Sequence, residues 1–257
     1  MMSEITEFYD ELSEQYHLLF ADWDEEVERQ GEVIDRVIRD LVGPGAKRVL
    51  DAACGIGTQA IGLARLGHHV TGTDLSPGAV ARARREAERL GVTLTAQVAD
   101  LRNLTESIAG PFEVICALDN ALPHLEGEAE LSLALTRIAE LLVPGGLFLA
   151  SIRDYDALLR DRPRVEAPRV IDDPQGHRVV FQVWDWAPDG SSYRLHLYFV
   201  RYRDGVGAET RVFTGLYWPL TRARLDKLLA EAGLERIEWL EPEATGFHQP
   251  IVAARAP

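Results

Sequence analysis

The chain has 257 residues, 46% of them apolar and 26% charged, enough for a buried core in one α/β domain or two smaller ones. Its 41 acids against 27 bases give a formal charge of −14, which argues against binding a nucleic-acid backbone but allows a small polar substrate in a local basic pocket. Two cysteines, Cys54 and Cys116, cannot make a disulfide framework, and no Cys or His pair stands at metal-ligand spacing. The acidic N-terminal stretch lacks a signal-peptide charge pattern and no long uncharged apolar run occurs, so the expectation is a cytoplasmic protein that does not span a membrane.

From residue 3 to 42 apolar side chains recur at helical spacing, from Leu12, Tyr16, Leu19, Phe20, Trp23 and Val27 to Val33, Ile34, Val37, Ile38 and Leu41, until VGPG at 42–45 stops them. Strand and helix patterns then alternate. KRVLDA (47–52) is a strand, TQAIGLARLG (58–67) a helix and HHVTGTD (68–74) a strand, with His68 and His69 in structural roles. The next helix has Ser76 as N-cap, Pro77 at its first position and Gly91 at its end. TLTAQVAD (93–100) and FEVICALD (112–119) are strands, 127–146 is a helix broken at Pro144, and LFLASI (147–152) is a strand. This alternation predicts a parallel sheet with helices on both faces.

Beyond residue 153 the period changes to two. Alternating β pattern runs from about 177 to 218, with hairpin turns at APDG (187–190) and RDGVG (203–207). A helix over 221–233, capped by Thr221, and the strands ERIEWL (235–240) and PIVAAR (250–255) close the chain, the last two as an antiparallel pair on the sheet edge.

The stretch VLDAACGIGT at 49–58 sets two glycines, Gly55 and Gly57, directly after a strand, where ligands of open parallel sheets bind. Asp74 ends the second strand, where a carboxylate can accept from two ribose hydroxyls, and Asp100 ends the third, placed to meet an adenine amino group or to serve only as a loop acid. Ala60 stands where a dinucleotide fingerprint prefers a third glycine, and that is tolerated. Asp51 decides the class: a carboxylate beside a pyrophosphate is repelled, whereas beside a sulfonium or ammonium it is attracted. The cofactor expected is S-adenosylmethionine.

These segments, with VTGTDLSP, FEVICALDNALPHL and LLVPGGLFLASIRDYD, resemble the successive motifs of class I S-adenosylmethionine-dependent methyltransferases over about residues 5 to 257. The resemblance implies a Rossmann-like α/β fold in one methyltransferase domain, divided into a helical lid (1–44), a cofactor-binding core (45–152), an antiparallel β cap over the active site (153–220) and closing elements (221–257). It implies cofactor contacts from Tyr9, Arg29, Ala53, Gly55, Gly57, Asp74, Leu75, Asp100, Leu101, Leu118 and His124, with no metal.

Within the class, ICALDNALPHL (115–125), RDYD (153–156), YRLHLYF (193–199) and the N-terminal YHLLFADWDEEVERQ are similar to glycine and sarcosine N-methyltransferases. That likeness implies Asn120 at the acceptor amine, Arg194 on its carboxylate, Arg29 on the cofactor carboxylate, and Tyr9, Tyr16 or Trp23 closing the lid over a small amino acid. Asp119 departs from the pattern, standing where a small residue is expected. The residues alone leave alternatives. Asn120 and His124 can be local caps. Arg194, His196 and Tyr198 share one strand face, which either lines a polar cavity or lies exposed with its arginine paired to a surface acid. Another small N- or O-acceptor, or a cofactor-binding module without turnover, is the competing function.

Overall fold

The computed structural model describes residues 4–173, 176–203 and 205–257. The first three residues and Asp204 of the RDGVG turn lie outside them. Helix α1 (Glu4–Ser13) is followed by a 3-10 turn (Tyr16–Leu19) and α2 (Trp23–Val42), which Asp22 caps by accepting from the amides of Asp24 and Glu25. Then come β1 (Arg48–Asp51), α3 (Thr58–Arg65), β2 (His69–Asp74), α4 (Pro77–Arg89), β3 (Thr95–Val98), α5 (Leu104–Ser107), β4 (Phe112–Ala117), α6 (Gly127–Leu141), β5 (Leu142–Ser151) and α7 (Tyr155–Asp161). Strands β6 (Arg169–Asp173), β7 (Gly176–Trp186), β8 (Tyr193–Arg203) and β9 (Gly207–Tyr217) form a separate antiparallel sheet. Helix α8 (Arg222–Glu231), β10 (Glu235–Leu240), α9 (Pro242–Thr245) and β11 (Ile251–Arg255) end the chain.

The main sheet has the order β10-β11-β5-β4-β1-β2-β3. β1 to β5 run parallel, and β11 lies antiparallel between β5 and β10. The chain winds outward from β1 in both directions, so strand order reverses between β1 and β4 and a crevice opens beyond their carboxyl ends. Alternation distributes the core: Leu50, Ile115 and Phe148 face one layer, while Val49, Val114 and Leu149 face the other beside Ile34 and Ile38 of α2.

Three expectations are corrected here. Within the segment expected as a lid, α2 is largely core, with Val27, Ile34 and Ile38 fully buried, while its Glu25, Glu26 and Arg29 line a cavity. Helix α6 stops at Leu141 rather than at Pro144, as proline disfavours helical backbone in the residue before it. Thr221 precedes α8 but its side chain makes no capping bond. Ser76 and Pro77 stand as expected, with Ser76 Oγ accepting from the Ala79 amide at 2.9 Å. His68 is structural: its Nδ1 accepts from the Lys47 amide and its Nε2 lies 2.9 Å from Asp35 of α2.

Helices α2 and α3 cross at Gly31 and Gly62. A Cβ on Gly62 would lie 2.4 Å from the Val27 carbonyl oxygen, and one on Gly31 would lie 2.7 Å from the Gly62 backbone. Rigid backbone on both sides leaves no side chain to yield. Gly62→Ala is expected to lower the free energy of unfolding by about 1–3 kcal/mol, the usual cost of overpacking; an unchanged midpoint in urea denaturation would show that the helices part freely.

Candidate active site

The glycine turn is built for close approach. Gly55 and Gly57 have φ of +52° and +96°, which favour glycine, and a Cβ on Gly57 would lie 2.9 Å from Ile61 Cδ1. Asp74 braces the turn: its Oδ2 accepts from the Gly55 amide at 2.8 Å and its Oδ1 from the Ser76 amide at 2.9 Å. Beyond the turn lies a cavity of about 340 Å³. Ala53, Gly55, Asp74 and Leu75 form one side of it, Asp100, Leu101, Leu118 and His124 the other. Gly57 shapes the turn from behind and does not line it.

Acids dominate this cavity. Asp51 is 1% exposed beneath the turn, and its Oδ2 has no hydrogen-bond partner. Burial, reinforced by Asp74 and Asp119, pushes its carboxyl up to about 7, although the Ala53 amide opposes the shift. Asp74 is also raised, first by burial, against the Ser76 and Gly55 amides. Such surroundings repel a pyrophosphate and suit a cation. Asp100 differs: burial would raise it, but the hydrogen bonds from Arg102 hold it below the usual carboxylate range. Arg102 Nε lies 2.9 and 3.0 Å from its two oxygens. Asp100 therefore serves first as the partner of Arg102, a use its place at the end of the third strand did not disclose.

The N-terminal segment closes over this cavity. Asp10 Oδ1 accepts from the Gly78 amide at 2.8 Å and from Ser76 Oγ, seating α1 on the N-terminus of α4, where a carboxylate is favoured. Tyr9 hydroxyl lies 2.8 Å from His124 Nε2, and His124 Nδ1 faces the Leu216 carbonyl at 3.3 Å. That carbonyl requires the proton on Nδ1, so Nε2 accepts from Tyr9. Burial lowers the His124 pKa to about 3, keeping the ring neutral.

A second cavity, about 1190 Å³, opens between α1, α2, α7 and the antiparallel sheet. It shares Tyr9, Tyr16 and Asp119 with the first, and Arg29 lies at it rather than at the first. Arg29 pairs with Glu26 and donates to the Gly246 carbonyl at 3.0 Å. Trp23 is buried, bonded to Thr58 Oγ1 at 3.1 Å, and lines neither cavity.

Two expected acceptor residues are displaced. Arg194 lines neither cavity: Tyr193, Leu195, Leu197 and Phe199 take the inner face of β8, so Arg194 emerges on the outer face, 42% exposed and ion-paired with Glu4. Of the two alternatives for this face, the structure shows the exposed one with its arginine paired to a surface acid. Asn120 is buried at φ +64° and lines neither cavity; its Nδ2 donates to the Tyr155 hydroxyl at 2.9 Å and its Oδ1 accepts from the Arg153 amide at 3.1 Å. The residue that sequence reasoning passed over is Arg153, in the RDYD quoted above. It lines the second cavity, donating to the Tyr193 hydroxyl at 2.9 Å and Gln182 Oε1 at 3.1 Å, with its guanidinium carbon 4.9 Å from the Trp184 ring centre. Its place just past the carboxyl end of the fifth strand was the available signal.

Residues 49–146 match the family of methyltransferase domains. A glycine/sarcosine N-methyltransferase of Parasynechococcus marenigrum is 26% identical over 95% of this chain and 81% of its own length. One from Halorhodospira halochloris is 32% identical over 54% of this chain and 50% of its own. The sugar N-methyltransferase KedS8 from Streptoalloteichus superposes with a TM-score of 0.75 at 21% identity, over 93% of this chain and 92% of that one. The chain is an S-adenosylmethionine-dependent methyltransferase with the class I fold. Among the described residues of the methyltransferase no cluster of His, Cys, Asp and Glu could hold a metal, and no helix is long and apolar enough to cross a membrane.

Asp51 gives a pH prediction. Between about pH 4 and 7 the folded methyltransferase keeps a proton on Asp51 that the unfolded chain releases, so this group's stability contribution is lost as pH rises through that window. A sulfonium cation favours the ionised carboxyl, so its binding below pH 7 expels that proton. Calorimetry is expected to show cofactor affinity rising from pH 6 to pH 8, by at most about tenfold per unit, and Asp51→Asn is expected to flatten both trends. A wild-type affinity independent of pH would exclude this role.

Proposed function

We propose that this methyltransferase acts on the amine of a small amino acid of the glycine or sarcosine type, and that Arg153, not Arg194, holds the acceptor's carboxylate. The observation that carries this reading is the half-buried guanidinium of Arg153. Its partners are a phenol, an amide oxygen and aromatic rings, and among the described residues no carboxylate is ion-paired with it. A partly buried charge without a counterion is costly, and an incoming carboxylate offsets that cost through two parallel hydrogen bonds. The full-length likeness to the Parasynechococcus enzyme supports the same substrate class.

The other roles follow from placement. Asp74 accepts from the cofactor ribose, Gly55 lets the cofactor approach the backbone, and Leu75, Leu101 and Leu118 enclose its base. Bound S-adenosylmethionine supplies a methyl group already activated by the sulfonium. The chain's own task is then alignment and exclusion of water, by Arg153 on the acceptor and by Tyr9 and Tyr16 at the seam between the cavities. The segment before Trp23 is the lid. The breadth of the second cavity, with the fold likeness to KedS8, favours a bulkier amine such as an amino sugar as the second reading.

Radiolabelled methyl transfer to glycine, sarcosine, dimethylglycine, an amino sugar and hydroxylated acceptors separates these readings. Arg153→Lys keeps the charge but loses the planar fork. It is expected to cut kcat/KM on the amino-acid acceptor on the order of a hundredfold, as a misalignment of about 1 Å does, with cofactor affinity near wild type. Arg194→Ala is expected to leave turnover unchanged. Normal turnover by Arg153→Lys, or transfer to the sugar alone, would remove the amino-acid assignment.

A further inference from the structure

We propose that Asp119 receives the ammonium end of the acceptor and removes its proton, and that His248 passes the proton to solvent. This rests on the second cavity being the acceptor site. Of the three residues lining both cavities, Tyr9, Tyr16 and Asp119, only Asp119 is an acid. It stands where donor and acceptor must meet.

The backbone marks the position as unusual. Asp119 has φ +52° and Asn120 follows at +64°, both in the region that favours glycine. A carboxylate occupies a position where a glycine would fold with less strain. The side chain is held in place: Gln59 Nε2 donates to Oδ2 at 2.7 Å, and Gln59 is held in turn by Gln30 at 2.6 Å. The other oxygen, Oδ1, is buried and makes no aligned hydrogen bond, although His248 Nε2 lies 2.9 Å away. His248 is 43% exposed, so its ring joins this oxygen to bulk water.

The charges around the pair come from several elements. Arg29 of α2 acts on Asp119, as do Asp51 at the end of β1 and Tyr16 of the 3-10 turn. Glu26 of α2 acts on His248. One cation and two acids surround the dyad, and the acids favour an ammonium at Asp119.

An amine attacks only as the free base. The acceptor ammonium N–H breaks and its proton goes to Asp119; the freed nitrogen pair forms the N–C bond while the methyl C–S bond breaks, its electrons passing to sulfur. The proton then moves from Asp119 to His248 Nε2, and from His248 to water. Sulfonium and neutral amine thus become thioether and methylammonium, with no further reactant.

The test compares glycine with aminooxyacetate, which keeps the carboxylate but carries an amine already neutral at pH 7. Asp119→Asn keeps the shape, and asparagine accepts the same backbone. The ratio of kcat on glycine to kcat on aminooxyacetate is expected to fall about a hundredfold at pH 7, the usual worth of a general base, and to recover about tenfold per pH unit as glycine itself deprotonates. Titration of glycine into the enzyme filled with S-adenosylhomocysteine, where no turnover occurs, is expected to show weaker binding in the variant, while aminooxyacetate binding is held. His248→Gln is expected to lower the ratio less, since water also reaches Asp119. Equal losses on both acceptors, or a ratio that does not respond to pH, would make Asp119 merely structural and overturn the proposal while the amino-acid reading stands. If the wild type methylates neither compound, the amino-acid reading fails, and this proposal with it.

Discussion

Mutual repulsion among Asp51, Asp74 and Asp119 is the constraint on which the site depends. Asp51 and Asp74 end β1 and β2 and Asp119 lies two residues past β4, so neighbouring parallel strands bring the three carboxylates to one edge. Asp74 is satisfied by two backbone amides, whereas Asp51 and Asp119 each keep one oxygen without an aligned hydrogen bond, the other oxygen of Asp119 being held by Gln59; burial pushes Asp51 up to about 7. Burying three acids together is unfavourable unless a cation joins them, and a sulfonium cofactor is such a cation. The strain is local because β1 and β4 are packed on both faces by fully buried aliphatic side chains.

The two N-terminal helices answer different needs. α2 is locked at the Gly31–Gly62 crossing and belongs to the core. α1 buries Phe8 and Leu12 in the core cluster it shares with the antiparallel sheet, sets Asp10 on the start of α4 and Tyr9 on His124, and pairs Glu4 with Arg194. α1 thus lines both cavities through Tyr9, beside a wall formed by α2.

The parallel core was legible because its signals are local: glycines after an apolar strand, an acid at the next strand end, Ser76 and Pro77 opening a helix. Ala53, Gly55, Asp74, Leu75, Asp100, Leu101 and Leu118 line the first cavity because each lies at or just past a strand end, whereas Tyr9 and His124 come from helical segments. What the sequence left open were relations between distant segments. Alternation separates Arg194 from Leu195 but does not say which faces inward; that depends on Tyr193, Leu195 and Leu197 packing onto a core built by β5 and α7. Strand β6 and helix α7 carry weak periodicity and were not anticipated. The Arg102 clamp on Asp100 and the Asp10 cap on α4 are contacts between side chains whose spacing forms no repeating pattern.

Asn120 shows why a residue can sit in a family motif and still act at one remove. Its Oδ1 accepts from the Arg153 amide and its Nδ2 donates to the Tyr155 hydroxyl. That hydroxyl lies 3.0 Å from the Tyr193 hydroxyl, which accepts from Arg153 Nη1 at 2.9 Å. The four residues close a hydrogen-bonded ring that fixes the guanidinium from both its backbone and its tip. Tyr155 and Tyr193 are each 1% exposed, so the ring is shielded from water and its members cannot exchange partners without losing a buried bond. A cation held this way is preorganised: the ring leaves its charge unneutralised, and at the cavity wall its guanidinium lies against the Trp184 and Tyr217 rings. The left-handed turn at Asp119 and Asn120 thus serves two parts of the second cavity, setting the seam carboxylate with one residue and bracing the Arg153 cation with the next.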